Sequence, residues 1–153
     1  MVKAPDAGDI LMMAATVAVL LAATLAGSGM VETEAAYTEN DLYYLSHIIQ
    51  AEAGYCSTEM MEGVGSVVLN RVADERFPDT VQGVIEQPGQ YTPMSNGMFW
   101  NEPTEEAIEV AEDLLENGSK LPADVIYQAN FPQGTGTYKT LSTSYSTMYF
   151  CTG

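Results

Sequence analysis

The chain has 153 residues, with five Lys and Arg against 21 Asp and Glu, a formal charge of −16. That length suits one domain with a real hydrophobic core, and a hydrophobic content of 46% with 17% charged residues is that of a folded globule rather than a disordered chain. The acidity excludes nucleic-acid binding by phosphate neutralisation and a polybasic membrane surface, while one histidine and two cysteines are too few for a zinc site built from His and Cys.

Ile10 to Ala26 runs without a charge and is intermediate between a secretory apolar core and a minimal membrane span. Small residues follow at Ala26-Gly27-Ser28, as a cleavage site requires. The expectation is therefore an exported protein, with residues 1–29 a signal peptide or N-terminal membrane anchor, 30–40 a linker, and 41–153 one folded domain. Contact with a membrane is expected only through that N-terminal segment. Lys3, Asp6 and Asp9 are the only charged residues in it, so the acidity belongs to the rest of the chain. In an oxidising compartment Cys56 and Cys151 are candidates for a disulfide, with two free thiols as the alternative.

Thr38-Glu39-Asn40-Asp41 has the form of a capping box, which predicts a first helix starting near Asn40 and ending at Gly54. Leu42, Leu45, Ile48, Ile49 and Glu52 fall on one face of it. A second helix is expected after Ser57-Thr58, through Val64, Val67, Val68 and Val72. Gly63, Gly65 and Ser66 inside it would let another backbone come close. Gly63-Val64-Gly65 is no dinucleotide fingerprint, since no strand precedes it and the third glycine is missing; no cofactor is expected. Phe77-Pro78-Asp79 breaks the pattern, and Val81, Val84 and Ile85 mark a short helix.

Gln87 to Trp100 holds two turn signals, Pro88-Gly89 and Asn96-Gly97, among β-prone residues, and predicts a hairpin or an ordered loop. Pro103-Thr104 opens an acidic helix, Glu105 to Glu116, with Ala107, Ile108, Ala111, Leu114 and Leu115 inward and Gly118 as its stop. Val125 to Gly153 reads as loops with short extended pieces. The fold class expected is α+β, mostly α-helical, one domain with a small β-hairpin or loop lobe.

Glu52 is the residue whose place suggests chemistry. A carboxylate in line with aliphatic neighbours is partly desolvated, and in the last helical turn it meets the negative end of the dipole. Both effects raise its pKa, as a general acid near neutral pH requires. A structural glutamate bonded to nearby backbone or to Arg71 accounts for the same pattern, and the two readings stay open here. His47 with Cys56 suggests a Cys–His peptidase, but nothing supplies the orienting third group. Glu59 stands where carboxylates favour a helix start, and the tyrosines are candidates for stacking on sugar rings.

The ordered set IIQAEAGY, VVLNRV, RFPDTVQGVI and EQPGQYTPMSNG resembles the SleB-like cell wall hydrolase family, which includes the spore cortex-lytic enzymes. The resemblance covers Leu42 to Thr137 in order. It implies a lysozyme-like domain that cleaves the glycan strands of peptidoglycan between N-acetylmuramic acid and N-acetylglucosamine, as lytic transglycosylase with a muramidase as the alternative, and with Glu52 the catalytic acid. It further implies that Gln90, Tyr91, Thr92, Ser95 and Asn96, matching the pattern QPGQF[ST]P-x-SNG, line the sugar groove, with Glu59 in a supporting role. The implied partner is peptidoglycan, bound by a monomer without a metal. One departure is plain: where many members carry H-x-F-Y, this chain has Met148-Tyr149-Phe150-Cys151. A catalytically idle peptidoglycan-binding module is the alternative.

Overall fold

The computed structural model describes residues 36–153; the apolar segment Ile10–Ala26, the expected signal or anchor and most of the expected linker lie outside them. Five helices precede three strands: α1 Glu39–Ala53, α2 Thr58–Ala73, α3 Val81–Ile85, α4 Thr92–Asn96, a 3-10 turn Met98–Trp100, α5 Glu105–Asn117, β1 Val125–Ala129, β2 Gly136–Ser142 and β3 Thr147–Thr152. None of the described helices is long and apolar enough to cross a membrane.

The capping box at the start of α1 forms as read. Thr38 Oγ1 accepts from the Asp41 amide at 3.1 Å, and the Asp41 carboxylate accepts from the Thr38 amide at 3.0 Å. Such a cap holds about 1 kcal/mol of helix stability. Leu45, Ile48 and Ile49 are fully buried against α2 and α5. At the other end Gln50 Oε1 accepts from the amide and hydroxyl of Thr104, the N-cap of α5, which joins the end of α1 to the start of α5. In α5, Ala107, Val110, Ala111 and Leu114 are buried, whereas Ile108 and Leu115, expected inward, are half-buried at the margins of the stripe.

The small residues of α2 admit side chains rather than another backbone. Phe150 of β3 sets its ring edge on Gly63, and Leu114 and Ile49 close over Gly65. The polar residues of the same helix face the strands. Ser66 Oγ accepts from the Lys120 amide, Asn70 Nδ2 donates to the carbonyls of Pro122 and Val125 at 2.8 and 2.9 Å, and Arg71 Nε donates to the Ile126 carbonyl at 2.7 Å. These bonds hold the approach to β1 along α2.

Two expectations change here. Gln87–Trp100 is not a hairpin: Tyr91 leads into α4, Pro93 stands in its first turn where no backbone donor is required, and Gly97 ends it with φ of 83°. The Asn-Gly pair that would turn a hairpin stops a helix instead, with Asn96 Oδ1 accepting from the Met98 amide. Sheet structure arises from the tail, as three antiparallel strands in the order β1–β3–β2. The pairings Gln128↔Phe150 and Thr140↔Tyr149 put β3 in the centre. Cys56 and Cys151 are free thiols, so the disulfide is not formed. Cys151 is buried in the central strand with its sulfur 3.6 Å from the Thr137 hydroxyl, while Cys56 packs on the core after α1.

The contact at Gly63 sets a test. Ala there forces the buried Phe150 ring to move, an overpacking cost of about 1–3 kcal/mol, against a gain of up to about 1 kcal/mol in helix propensity. Gly63→Ala is expected to lower the urea midpoint by a net loss of roughly 1–2 kcal/mol with an unchanged denaturant slope.

Candidate active site

A groove of about 690 Å³ opens beside the end of α1. Glu52 lines it from α1, Arg71 from α2, Gly89 to Thr92 from the turn entering α4, Tyr127 to Phe131 and Gln133 from β1 and the chain after it, and Ser146 to Met148 from the start of β3. Gly89 turns the chain with φ of 75° and presents Gln90, a conformation that glycine adopts without strain.

Arg71 organises the wall. Its side chain is buried, at 5% exposure, and among the described residues its charge has no carboxylate partner. Besides the bond to Ile126, a guanidinium N–H donates to Gln90 Oε1 at 3.4 Å, and the planar group stands 5.2, 5.5 and 5.9 Å from the ring centroids of Phe77, Tyr91 and Tyr127. Cation–π contact with three rings offsets part of the desolvation of a buried charge. Glu52 is half-buried, and among the described residues no hydrogen bond or ion pair reaches its carboxyl. Burial raises its pKa above the usual glutamate value. The reading of Glu52 as a structural partner of Arg71 is thereby displaced, because the guanidinium is committed to a backbone carbonyl, an amide and aromatic faces. Two further polar atoms of the wall, the Tyr91 hydroxyl and Gln128 Oε1, are buried without a partner.

Of the residues expected in the groove, Glu52, Gln90, Tyr91 and Thr92 meet there. Ser95 lines an adjoining depression with Glu86 and Thr92, its hydroxyl donating to the Thr92 carbonyl. Asn96 caps the turn to Met98 and lines neither. Glu59 is paired with Lys139 in a separate depression bordered by Glu62 and Phe150. His47 is buried between Tyr43 and Phe99, with Nδ1 2.7 Å from the Tyr43 carbonyl, and no hydrogen bond joins it to Cys56. The Cys–His pair is not assembled.

Glu52 is the only carboxylate among the described residues that line the groove. Asp74 is held by Arg76 at 2.6 Å, Glu86 accepts from the Tyr44 hydroxyl at 2.6 Å, and Asp79 is exposed. Among the described residues no group of three or more His, Cys, Asp and Glu gathers that could hold a metal ion. The β1 side of the groove, including Phe131 at 58% exposure, escaped the sequence reading. An exposed aromatic after Asn130 was the only local signal. Met148, at the place where the resembling pattern has histidine, lines the wall with a thioether that carries no proton.

The family model for cell wall hydrolases matches residues 57–148. The chain belongs to the cell wall hydrolase family. The matched span begins at Ser57, so it includes Arg71 and the groove's far walls but not Glu52. Among curated relatives, the chain is 33% identical over 104 residues to a spore cortex-lytic enzyme of Oceanobacillus iheyensis, covering 68% of this chain and 37% of that protein. To a spore cortex-lytic enzyme of Bacillus subtilis it is 30% identical over 94 residues, covering 61% and 30%. The chain thus spans about a third of the length of the curated relatives it matches.

Its fold is that of the catalytic domain of the germination-specific lytic transglycosylase SleB from Bacillus anthracis, with a TM-score of 0.60, 24% identity, and coverage of 75% of this chain and 96% of that one. The catalytic domain of Bacillus cereus SleB aligns equally, at 0.60 and 22% identity, over 82% and 99%. The mostly helical, lysozyme-like α+β domain of this cell wall hydrolase is the fold expected from the sequence.

The raised pKa of Glu52 has a stability consequence of definite sign. Between the ordinary value of 4.5 and its raised folded value, the native state binds more protons than the unfolded one, so Glu52 lowers stability as pH rises through that window. Glu52→Gln is expected to melt like wild type below pH 4.5 and at higher temperature near neutrality, the gap opening with pH in paired thermal melts.

Proposed function

We propose that this cell wall hydrolase cleaves peptidoglycan glycan strands between N-acetylmuramic acid and N-acetylglucosamine as a lytic transglycosylase, with Glu52 as acid and then base. The observation that carries the reading is a desolvated carboxyl that, among the described residues, has no ion-pair partner and no second carboxylate beside it in a polar groove. Family membership supports a wall glycan as the ligand, and the fold neighbour from Bacillus anthracis bears the name of a lytic transglycosylase.

In this mechanism the protonated Glu52 donates to the glycosidic oxygen as the C1–O bond breaks and oxocarbenium character develops at the muramoyl anomeric carbon. The departing N-acetylglucosamine end carries the proton away as a hydroxyl. The muramoyl 6-hydroxyl then bonds to its own anomeric carbon and gives its proton to the Glu52 carboxylate. The ring is closed as the 1,6-anhydro sugar and the acid is restored, so no water is consumed. A hydrolytic glycosidase would need a second carboxylate, about 5–5.5 Å away for retention or 6.5–9.5 Å for inversion. The absence of a second carboxylate among the described lining residues favours the anhydro route. Gln90, Thr92 and Gln128 offer donors and acceptors for sugar hydroxyls and N-acetyl groups, and Phe131 offers a face for a pyranose ring. Such a substrate lies outside the cytoplasm, in keeping with residues 1–29 as an export signal or anchor.

Mass spectrometry of purified sacculi digested by the protein is expected to show anhydromuropeptides. Glu52→Gln keeps the shape and lacks the acidic proton, and it is expected to lower the rate by at least ~10²-fold. Reducing-end muramic acid without anhydro products would overturn the transglycosylase route. Co-sedimentation with sacculi and no soluble product would identify a binding module instead.

A further inference from the structure

Tyr91 is 4% exposed, and its hydroxyl is closed to solvent and lacks a hydrogen-bond partner. Leaving a buried hydroxyl unpaired destabilises a fold, and phenylalanine would fill the same space without that cost. Arg71 stands close to it and favours its ionised form, but the guanidinium lies over the face of the ring and its hydrogen bonds within 3.5 Å go to Ile126 and Gln90, which leaves the phenolic proton without an acceptor. Two other polar groups of the same wall have no partner among the described residues, the neutral Gln128 Oε1 and the carboxyl of Glu52, which reaches it from α1; only the carboxyl can become charged, which singles out the pair Tyr91 and Glu52. One of the two is a donor. The other becomes a charged acceptor when it gives up its proton.

We propose that Tyr91 is a positioning residue for the reaction described above, its hydroxyl donating to the Glu52 carboxylate once the acid has released its proton to the glycosidic oxygen. This rests on the reading of Glu52 as acid and base. The bond has little to gain while Glu52 is protonated and is charge-assisted once the carboxylate forms. It stabilises the ionised state and orients the carboxylate to receive the proton of the 6-hydroxyl. Tyr91 itself transfers no proton. Its phenol is pushed up to about 12, by burial first and also by the nearness of Glu52, with the Arg71 charge acting the other way, so it stays a donor through the cycle.

The charged and titratable groups sharing the groove wall with Glu52 are Arg71 from α2, Tyr91 before α4 and Tyr127 from β1. Glu86, after α3, lines the adjoining depression and is bonded by Tyr44. Tyr91→Phe changes one of these groups and keeps the ring beneath Arg71.

The test uses Tyr91→Phe in the full chain, beside wild type. Below pH 4.5, where Glu52 is protonated, its melting temperature should equal or exceed that of wild type, because an unpaired hydroxyl is removed. Carbon-13 NMR titration of Glu52, without substrate, should show its pKa raised by about one unit in the variant, the effect of losing a hydrogen bond to the charged form. On solubilised glycan strands kcat should fall about tenfold or more with KM unchanged, and the alkaline limb of the pH profile should move upward with the pKa. An unchanged Glu52 pKa, or a change confined to KM, overturns the proposal. If neither protein releases soluble product but the pKa still shifts, the pairing of Tyr91 with Glu52 stands and the catalytic reading falls.

Discussion

A buried guanidinium without a carboxylate partner is the constraint around which the groove is built. Arg71 cannot be left unbonded at its depth, and the structure answers with the Ile126 carbonyl, the Gln90 amide and three aromatic faces. These partners come from three segments, so one side chain of α2 ties β1, the turn before α4 and Phe77 together. The arrangement has a second effect. Had Glu52 taken the ion pair, its charged form would have been favoured and its pKa lowered. With the guanidinium committed elsewhere, burial acts on Glu52 unopposed and raises its pKa.

The rest of the fold keeps that arrangement rigid. Gln50, one turn from the end of α1, is fastened to the cap of α5, which limits fraying where Glu52 sits. Phe150 seats on Gly63, bringing the central strand against α2, and β1 follows β3 into place through the sheet. Asn70 repeats the bonding of Arg71 one residue earlier. A site with one acid depends on such support, because the charge beside it, Arg71, is taken up by its own partners.

Helices with a clear apolar stripe were legible because the information is local. Thr38, Ser57 and Thr104 each cap the helix that the periodicity announces. Of the two readings of Gln87–Trp100, the hairpin fails because Asn-Gly serves equally as a hairpin turn and as a left-handed helix stop, and the choice depends on what the flanking residues pack against. Phe99 goes into the core beside Tyr44 and His47, which draws the segment into helical turns. The sheet was read as fragments, since exposed β2 offers no alternation to recognise and β3 acquires its pattern only between two partners. Of the residues expected together, Glu52 and Gln90 to Thr92 line one groove. Asn96 and Glu59 matched a motif but are engaged elsewhere, with the Met98 amide and Lys139.

By itself the amino-acid order determined the helical scaffold, the acidic surface and the placing of one glutamate on an aliphatic stripe near a helix end. These follow from residues within a few positions of one another, where propensity, capping and periodicity act. Only the tertiary structure decided that Arg71 would turn to a strand carbonyl rather than to Glu52, that β1 and the start of β3 would wall the groove, and that both cysteines would stay apart. Those outcomes join residues far apart in the chain, and the energy that selects them, desolvation of buried charge against hydrogen bonds with distant backbone, exists only once the segments have met.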